Sequence, residues 1–167
     1  FHKPADVYGS FPTDPYSHTP GHGGAQQPGM TGQVKEEVLS RFGELGLRVA
    51  AGEIRFDPRL LRAREFSSGT RRFRFLDVHG QWQELTVPES GLAFTWCQVP
   101  IVYRLRNEGR ATLAITLQDG SIQTLPQPLL PASVSSELFR RSGHIRQISL
   151  DLPREALLHE TLCTERP

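Results

Sequence analysis

Two histidines, His18 and His22, sit four positions apart in DPYSHTPGHGG, with Asp14 close by. Imidazole and carboxylate are donors that a transition metal takes at about 2 Å. An i, i+4 pair shares one side only on a helix, and Pro20 and Gly21 forbid a helix here. No metal site is therefore assigned, and no cofactor is implied. His18 and His22 read either as loop histidines that hydrogen-bond a sugar or phosphate, or as plain surface or interface residues. Further along, Gly29–Met30–Thr31–Gly32 opens a helix. Free backbone N–H groups, a threonine hydroxyl and a glycine allowing close approach make an anion site. The same residues also make an ordinary N-cap. Glu36 and Glu37 could offer a general base, but catalytic carboxylates work as a pair only when both aim at one bond, roughly 5–10 Å apart. Adjacent helix residues point about 100° apart, so these two read as solvated acids of the first turn. Trp82, Trp96 and Tyr103 would stack on a sugar ring if exposed. Trp96 lies in an apolar run and reads as core, whereas Trp82, between Gln81 and Gln83, is the better stacking candidate, with core packing as the competing reading. There is no nucleophile elbow, phosphate-binding loop or dinucleotide fingerprint, and no catalytic residue is assigned.

Bulk properties narrow the classes. A chain of 167 residues suits one ordinary domain burying about two-thirds of its unfolded surface. Hydrophobic residues make up 37% and charged residues 22%, with a mean hydropathy of −0.38, as in soluble globular proteins. A net charge of +1 predicts neither nucleic-acid steering nor a polybasic membrane anchor. Lys3 and Lys35 are the only lysines, so the basic residues are mostly Arg. An Arg-rich surface grips carboxylate, phosphate or sugar hydroxyls, and a GC-rich genome produces the same bias. No apolar run nears the ~20 residues that span a bilayer, and no signal peptide is seen. The compartment is undetermined, with the cytoplasm slightly favoured. Cys97 reads as a small buried residue in FTWCQVPIVY, and Cys163 lies in a polar tail. A disulfide between the two is an open alternative.

Elements follow from periodicity. Residues 1–29 hold 5 Pro, 5 Gly and 3 His with almost no period, and read as a long extended loop. Gly32–Phe42 is the one strong helix, capped by Thr31, with Val34, Val38, Leu39, Phe42 and Leu45 on one stripe. Gly43 and Gly46 are its expected stops. Beyond Leu47 the period becomes two. Leu47–Ala50 and Glu53–Phe56 pair through Ala51–Gly52, Asp57–Pro58 breaks the run, and Leu60–Leu61 returns to the core. Arg72–Val78 and Gln81–Val87 pair through His79–Gly80. Gly91–Arg106, interrupted by Pro100, predicts two strands or a bulge. Ala111–Gln118 and Ser121–Leu125 form a hairpin through a two-residue Asp119–Gly120 turn. Ser133–Phe139 and His144–Leu152 supply the last strands, and Pro153–Glu160 a short helix. Eight to ten short strands with turns roughly every 8–12 residues predict an antiparallel β-sandwich carrying one N-terminal amphipathic helix and a long N-terminal loop.

The helix-to-strand junction carries a family resemblance. Thr31–Gly32 followed by GELGLRVAAGEIRFDPRLL is similar to the end of the catalytic α/α-barrel in cellobiose-phosphorylase-like glycoside phosphorylases and hydrolases. In that family a Thr/Ser-Gly begins the last barrel helix, and a phrase ending in Asp/Glu-Pro begins a C-terminal β-sandwich. The close match covers Pro28 to Leu61, and the later strands agree in kind. The resemblance implies residues 1–46 as the end of a barrel region and 47–167 as the C-terminal β-sandwich. It implies Thr31 and Gly32 as part of a phosphate-binding set, with His18, His22, Gln26 and Gln27 as looser members. The aromatic that follows Thr-Gly in the family is replaced by Gln33, which leaves phosphorolysis, hydrolysis and no catalysis open. The family's acid lies upstream of this sequence.

The expectation is thus the accessory C-terminal piece of a carbohydrate-active enzyme, inactive alone, partnered by an upstream barrel, an oligosaccharide and inorganic phosphate. Neither nucleic acid nor membrane is an expected partner. Two alternatives stand beside it: a free-standing carbohydrate-binding sandwich using Trp82, and a structural module that oligomerises through the helix stripe.

Overall fold

The computed structural model describes residues 31–157, with side chains from Val38 onward. The chain divides into two compact units, Phe1–Phe42 and Gly43–Pro167. Helix α1 spans Thr31–Glu44, starting at the expected cap residue and running two residues past the expected end. Gly43 lies inside it rather than stopping it. A helical glycine costs about 1 kcal/mol and does not by itself break a helix. The stop is Gly46, whose φ of +75° is left-handed. Val38 and Leu39 on the predicted stripe are exposed at 50% and 70%.

The second unit is mainly β, with ten strands among the described residues. Strands β1 (Leu47–Ala50) and β2 (Glu53–Phe56) form the expected hairpin, its two-residue turn carrying φ of 50° at Ala51 and 80° at Gly52. Ile54 and Phe56 alternate inward, and β2 pairs on its other side with the short β9 (Leu129–Leu130). Strands β3 (Arg71–Leu76) and β4 (Trp82–Val87) make a separate two-stranded sheet. The third sheet has five strands in the order β5 (Gly91–Trp96), β6 (Val99–Arg106), β10 (Ile145–Pro153), β7 (Thr112–Leu117), β8 (Ile122–Leu125). All neighbours are antiparallel except β6 and β10, which are parallel. A parallel pair needs a crossover connection, and part of this one is helix α2 (Ala132–Phe139).

That helix corrects the strand expected at Ser133–Phe139. Pro131 cannot donate to a ladder and sits at the N-cap with φ −58°. Ser135 and Leu138, three apart, are the buried pair, which is helical spacing. The Ser135 hydroxyl donates to the Leu130 carbonyl at 3.1 Å, tying the helix to the end of β9. The apolar run Gly91–Arg106 breaks at Cys97–Gln98, not at Pro100. Pro100 stands one residue before β6 begins pairing with β10 at Ile101, so its missing N–H breaks no bond of that ladder. Cys97 accordingly lies at a hairpin tip, half-buried and with a free thiol, rather than inside a strand. The Asp119–Gly120 turn is a three-residue loop. Leu117 faces Ser121, and Gly120 (φ +85°) donates its N–H to the Leu117 carbonyl. At the C-terminal end, Arg154–Ala156 is one 3₁₀ turn after Pro153, ended by Leu157 in an extended conformation; residues 158–160 of the expected helix lie outside the described residues.

The core gathers between the small and large sheets. Tyr103 is fully buried, with the Phe56 ring 6.4 Å away and the Phe94 ring 5.2 Å away, both edge-on. Ile101, Leu113, Ile115, Ile148 and Leu150 complete it on the same face of the large sheet. The sheets thus stack in a sandwich-like arrangement. Val99 to Tyr103 are all buried, which is why this stretch reads as a continuous apolar run without alternation. Of the pair expected to return to the core, Leu61 does so and Leu60 is 58% exposed. Among the described residues no helix is long and apolar enough to cross a membrane.

Candidate functional site

A cavity of about 380 Å³ opens between the β3–β4 hairpin and one rim of the five-stranded sheet. That volume falls in the range of small-ligand sites. Its wall is built from the hairpin side by Asp77 at the end of β3. One Asp77 carboxylate oxygen accepts the backbone N–H groups of His79 (2.9 Å) and Gln81 (2.8 Å), and the other accepts the Gln83 amide N–H at 2.8 Å. These bonds, the Gln81 N–H first, hold the carboxyl below its ordinary range. They also close the loop over residues 78–80, where Gly80 takes φ +73°. With three donors on it, Asp77 organises the wall and has little capacity left for a ligand.

The opposite wall comes from three distant pieces. The β5–β6 turn carries Gln98, whose side-chain amide donates to the Asp77 carbonyl at 3.0 Å. The segment before β10 brings Gly143, φ +82°, against the His79 ring; a methyl there would lie 3.3 Å from His79 Nε2. The start of β10 brings Arg146 and Gln147. Ile145 pairs with Leu117 and Gln147 with Thr116, so Arg146 is the extra residue of a β-bulge. Bulges at a sheet rim redirect a side chain, and this one sits on the cavity lining. Arg146 has no ion pair among the described residues. Gln118, from the β7–β8 loop, completes the polar lining, and Phe75 adds an aromatic surface.

Four glutamines thus converge: Gln83, Gln98, Gln118 and Gln147. Each amide offers two donors and an acceptor. Gln147 donates to the Ser149 hydroxyl at 2.9 Å, which fixes its orientation. Amides with an aromatic surface and one guanidinium suit a polyhydroxylated ligand. His79 and Glu84 line the same opening, the Glu84 carboxylate lying 3.7 Å from the Arg72 guanidinium. The other strong charge cluster, Asp151 with Arg104 (2.7 Å) and Arg106 (3.2 Å), is closed on itself. No group of three His, Cys, Asp or Glu able to hold a metal occurs among the described residues.

None of the residues singled out in the sequence is among the described residues lining the cavity. Thr31 and Gly32 open helix α1. His18, His22, Gln26 and Gln27 lie outside the described residues. Trp82 is 63% exposed, so core packing does not hold it. However, it pairs with Leu76, one pleat away from the Phe75–Gln83 pair that faces the cavity. Alternation puts Trp82 on the opposite face of the hairpin, where the Arg74 guanidinium lies 5.2 Å from its ring centre. Trp96 is half-buried and Tyr103 fully buried, its hydroxyl donating to the Leu45 carbonyl at 2.7 Å. The cavity glutamines were not legible because they are scattered over residues 83–147 with no shared motif. The one local signal was Asp77 ahead of His79–Gly80, an acid placed to cap a turn. Set against known proteins, the chain matches no family model and no curated protein in sequence.

Proposed function

We propose that the region from Gly43 onward is the accessory β-domain of a carbohydrate-active enzyme, without catalysis of its own, and that its cavity contacts oligosaccharide. The observation that carries this reading is the convergence of Gln83, Gln98, Gln118 and Gln147 with Phe75 around one opening. Sugar hydroxyls are both donors and acceptors, and amides answer both roles, while an aromatic side chain takes the C–H face of a ring. The junction Gly46–Pro58, through its resemblance to the barrel-to-sandwich phrase of glycoside phosphorylases and hydrolases, supplies the enzyme context. On this reading the partner is an upstream barrel of the same polypeptide. Inorganic phosphate, if used, binds at Thr31–Gly32 rather than in the β-domain.

The test is an NMR titration of the 167-residue chain with a panel of gluco-, manno- and xylo-oligosaccharides, with and without phosphate. Side-chain amide signals of Gln98, Gln118 and Gln147 should move together. Shifts confined to other residues, or no shift up to tens of millimolar sugar, would defeat the cavity as a sugar site. A second reading, a structural module that self-associates, is favoured by the exposure of Val38 and Leu39. A mass that rises with protein concentration and falls on changing both residues to Ser would support it.

A further inference from the structure

The cavity-lining Gln98 sits in a stretch of irregular backbone. Of the five non-glycine residues with positive φ among the described residues, Cys97 (51°) and Gln98 (64°) are consecutive, and Arg141 (52°) lies two residues before the cavity-lining Gly143. A two-residue hairpin turn with positive φ at both positions strongly prefers Asn-Gly or Asp-Gly. The turn at Ala51–Gly52 meets that preference halfway, but Cys97–Gln98 meets it at neither position. Side chains pay for such angles with a steric conflict between Cβ and the backbone. Strain of this sort persists where surrounding structure over-determines it, and it collects at binding sites.

What over-determines this turn is on the cavity wall. The Gln98 side chain crosses to the Asp77 carbonyl, a contact between residues 21 apart in sequence. The Asp77 carbonyl also accepts the Gly80 N–H, so the Gln98 amide grips the base of the loop over residues 78–80. This bond joins the two-stranded β3–β4 sheet, a separate sheet in the topology, to the five-stranded one. A glycine at position 98 would relax the turn but could not make the bond.

We infer that the Cys97–Gln98 turn is kept in its unfavourable form to aim Gln98 across the opening, and that Gln98 is the positioning residue that sets the width and hydroxyl selectivity of the cavity. The selectivity half of this inference rests on the carbohydrate reading above. The positioning half stands on geometry alone.

Three variants of the full chain separate strain from positioning. Cys97→Asn relieves strain and keeps Gln98. Its unfolding midpoint should rise, with the amide exchange of Asp77 to Gln81 and any sugar affinity unchanged. Gln98→Gly relieves strain and removes the bond, so its midpoint should hold or rise while those loop amides exchange about tenfold faster, the scale of one lost hydrogen bond. Gln98→Glu keeps the strain but cannot donate to a carbonyl, and its loop should exchange as fast as in the glycine variant. For a sugar that binds the wild type, both position-98 variants should weaken affinity about tenfold, a loss that the unchanged or raised midpoint of Gln98→Gly does not follow. Unchanged loop exchange in both position-98 variants would overturn the inference, as would a lower midpoint for Cys97→Asn. If the wild type binds no sugar, the carbohydrate reading and the selectivity claim fall together, and exchange and midpoint still decide the positioning claim.

Discussion

The junction from Glu44 to Leu61 and the cavity between Asp77 and Gln147 are built on opposite plans. At the junction the hairpin is made of partners close in sequence, and its distant ties run to the core through Tyr103 and β9. The Gly46 carbonyl accepts the Asp57 N–H at 2.8 Å, Leu47 faces Phe56, and Ala51–Gly52 turns the chain between them. The cavity joins a hairpin loop, a second hairpin turn, a third loop and a bulged strand, separated by tens of residues and held by single hydrogen bonds. A local plan is written as a motif and a dispersed one is not. This difference explains why the junction reads as a compact local pattern in the sequence and the cavity does not.

The sharpest way to break the junction is Gly46→Ala. A Cβ there would lie 2.2 Å from the Asp57 carbonyl carbon and 2.3 Å from Pro58 N, and φ is +75°. Backbone cannot swing aside as a side chain would, so the variant should lose about 3 kcal/mol or more of folding stability. Urea denaturation of the full chain measures it. A loss within the noise of a surface substitution would mean that the contact is not a clasp.

Tyr103→Phe tests how the junction is tied to the core. The hydroxyl is buried and donates to the Leu45 carbonyl at 2.7 Å. Removing it leaves a buried acceptor unsatisfied, at a cost of about 1–2 kcal/mol. Burial also pushes the phenol far above its ordinary value of 10.0. The folded state therefore holds this proton more tightly than the unfolded state. The stability so gained is complete below pH 10 and is lost as pH rises above it. The phenylalanine variant should show a shallower alkaline loss than the wild type, and parallel curves would contradict the assignment.

How much was legible follows the same division. The hairpin at Ala51–Gly52 was readable because its turn residues and alternation agree, and the mainly β class was readable from the spacing of turns. Helix α2 was not. ASVSSELF sets a single β-branched valine among small residues, and only Pro131 marked its start. Gly43 and Gly46 looked alike as stops, yet only Gly46 has a backbone pressed against it. At Cys97–Gln98 no turn signal was present, because that turn contradicts the usual chemistry. Where local preference and observed structure disagree, tertiary contacts have decided, and here they are the contacts of the cavity.

On the cavity side, Asp77→Asn should have a gentler effect than either junction variant. Its carboxyl is held below the ordinary 3.8, first by the Gln81 N–H and then by Gln83 and His79. A folded pKa below the unfolded one gives stability that is present above 3.8 and lost as pH falls through the folded value. In the asparagine variant that acid dependence should flatten, and the amides of residues 79–81 should exchange faster at neutral pH. Carbon-detected NMR can follow the wild-type carboxyl directly, and a midpoint at or above 3.8 would remove the argument.

The smallest effect is expected from the residue that looked most like a sugar platform. Trp82→Ala removes an exposed ring and its contact with the Arg74 guanidinium, a loss of about 0.5 kcal/mol for a solvated cation–π pair. Register places Trp82 one pleat from Gln83, on the face of the hairpin away from the cavity. If the cavity is where sugar binds, the variant should keep the wild-type response at Gln98, Gln118 and Gln147. Intrinsic tryptophan fluorescence sharpens the point, since Trp82 is the exposed member of the chain's two tryptophans. A sugar-induced change that survives Trp82→Ala belongs to the cavity side, while one that vanishes with it moves the site to the outer face of the hairpin and reverses the comparison between a motif-like residue and a dispersed one.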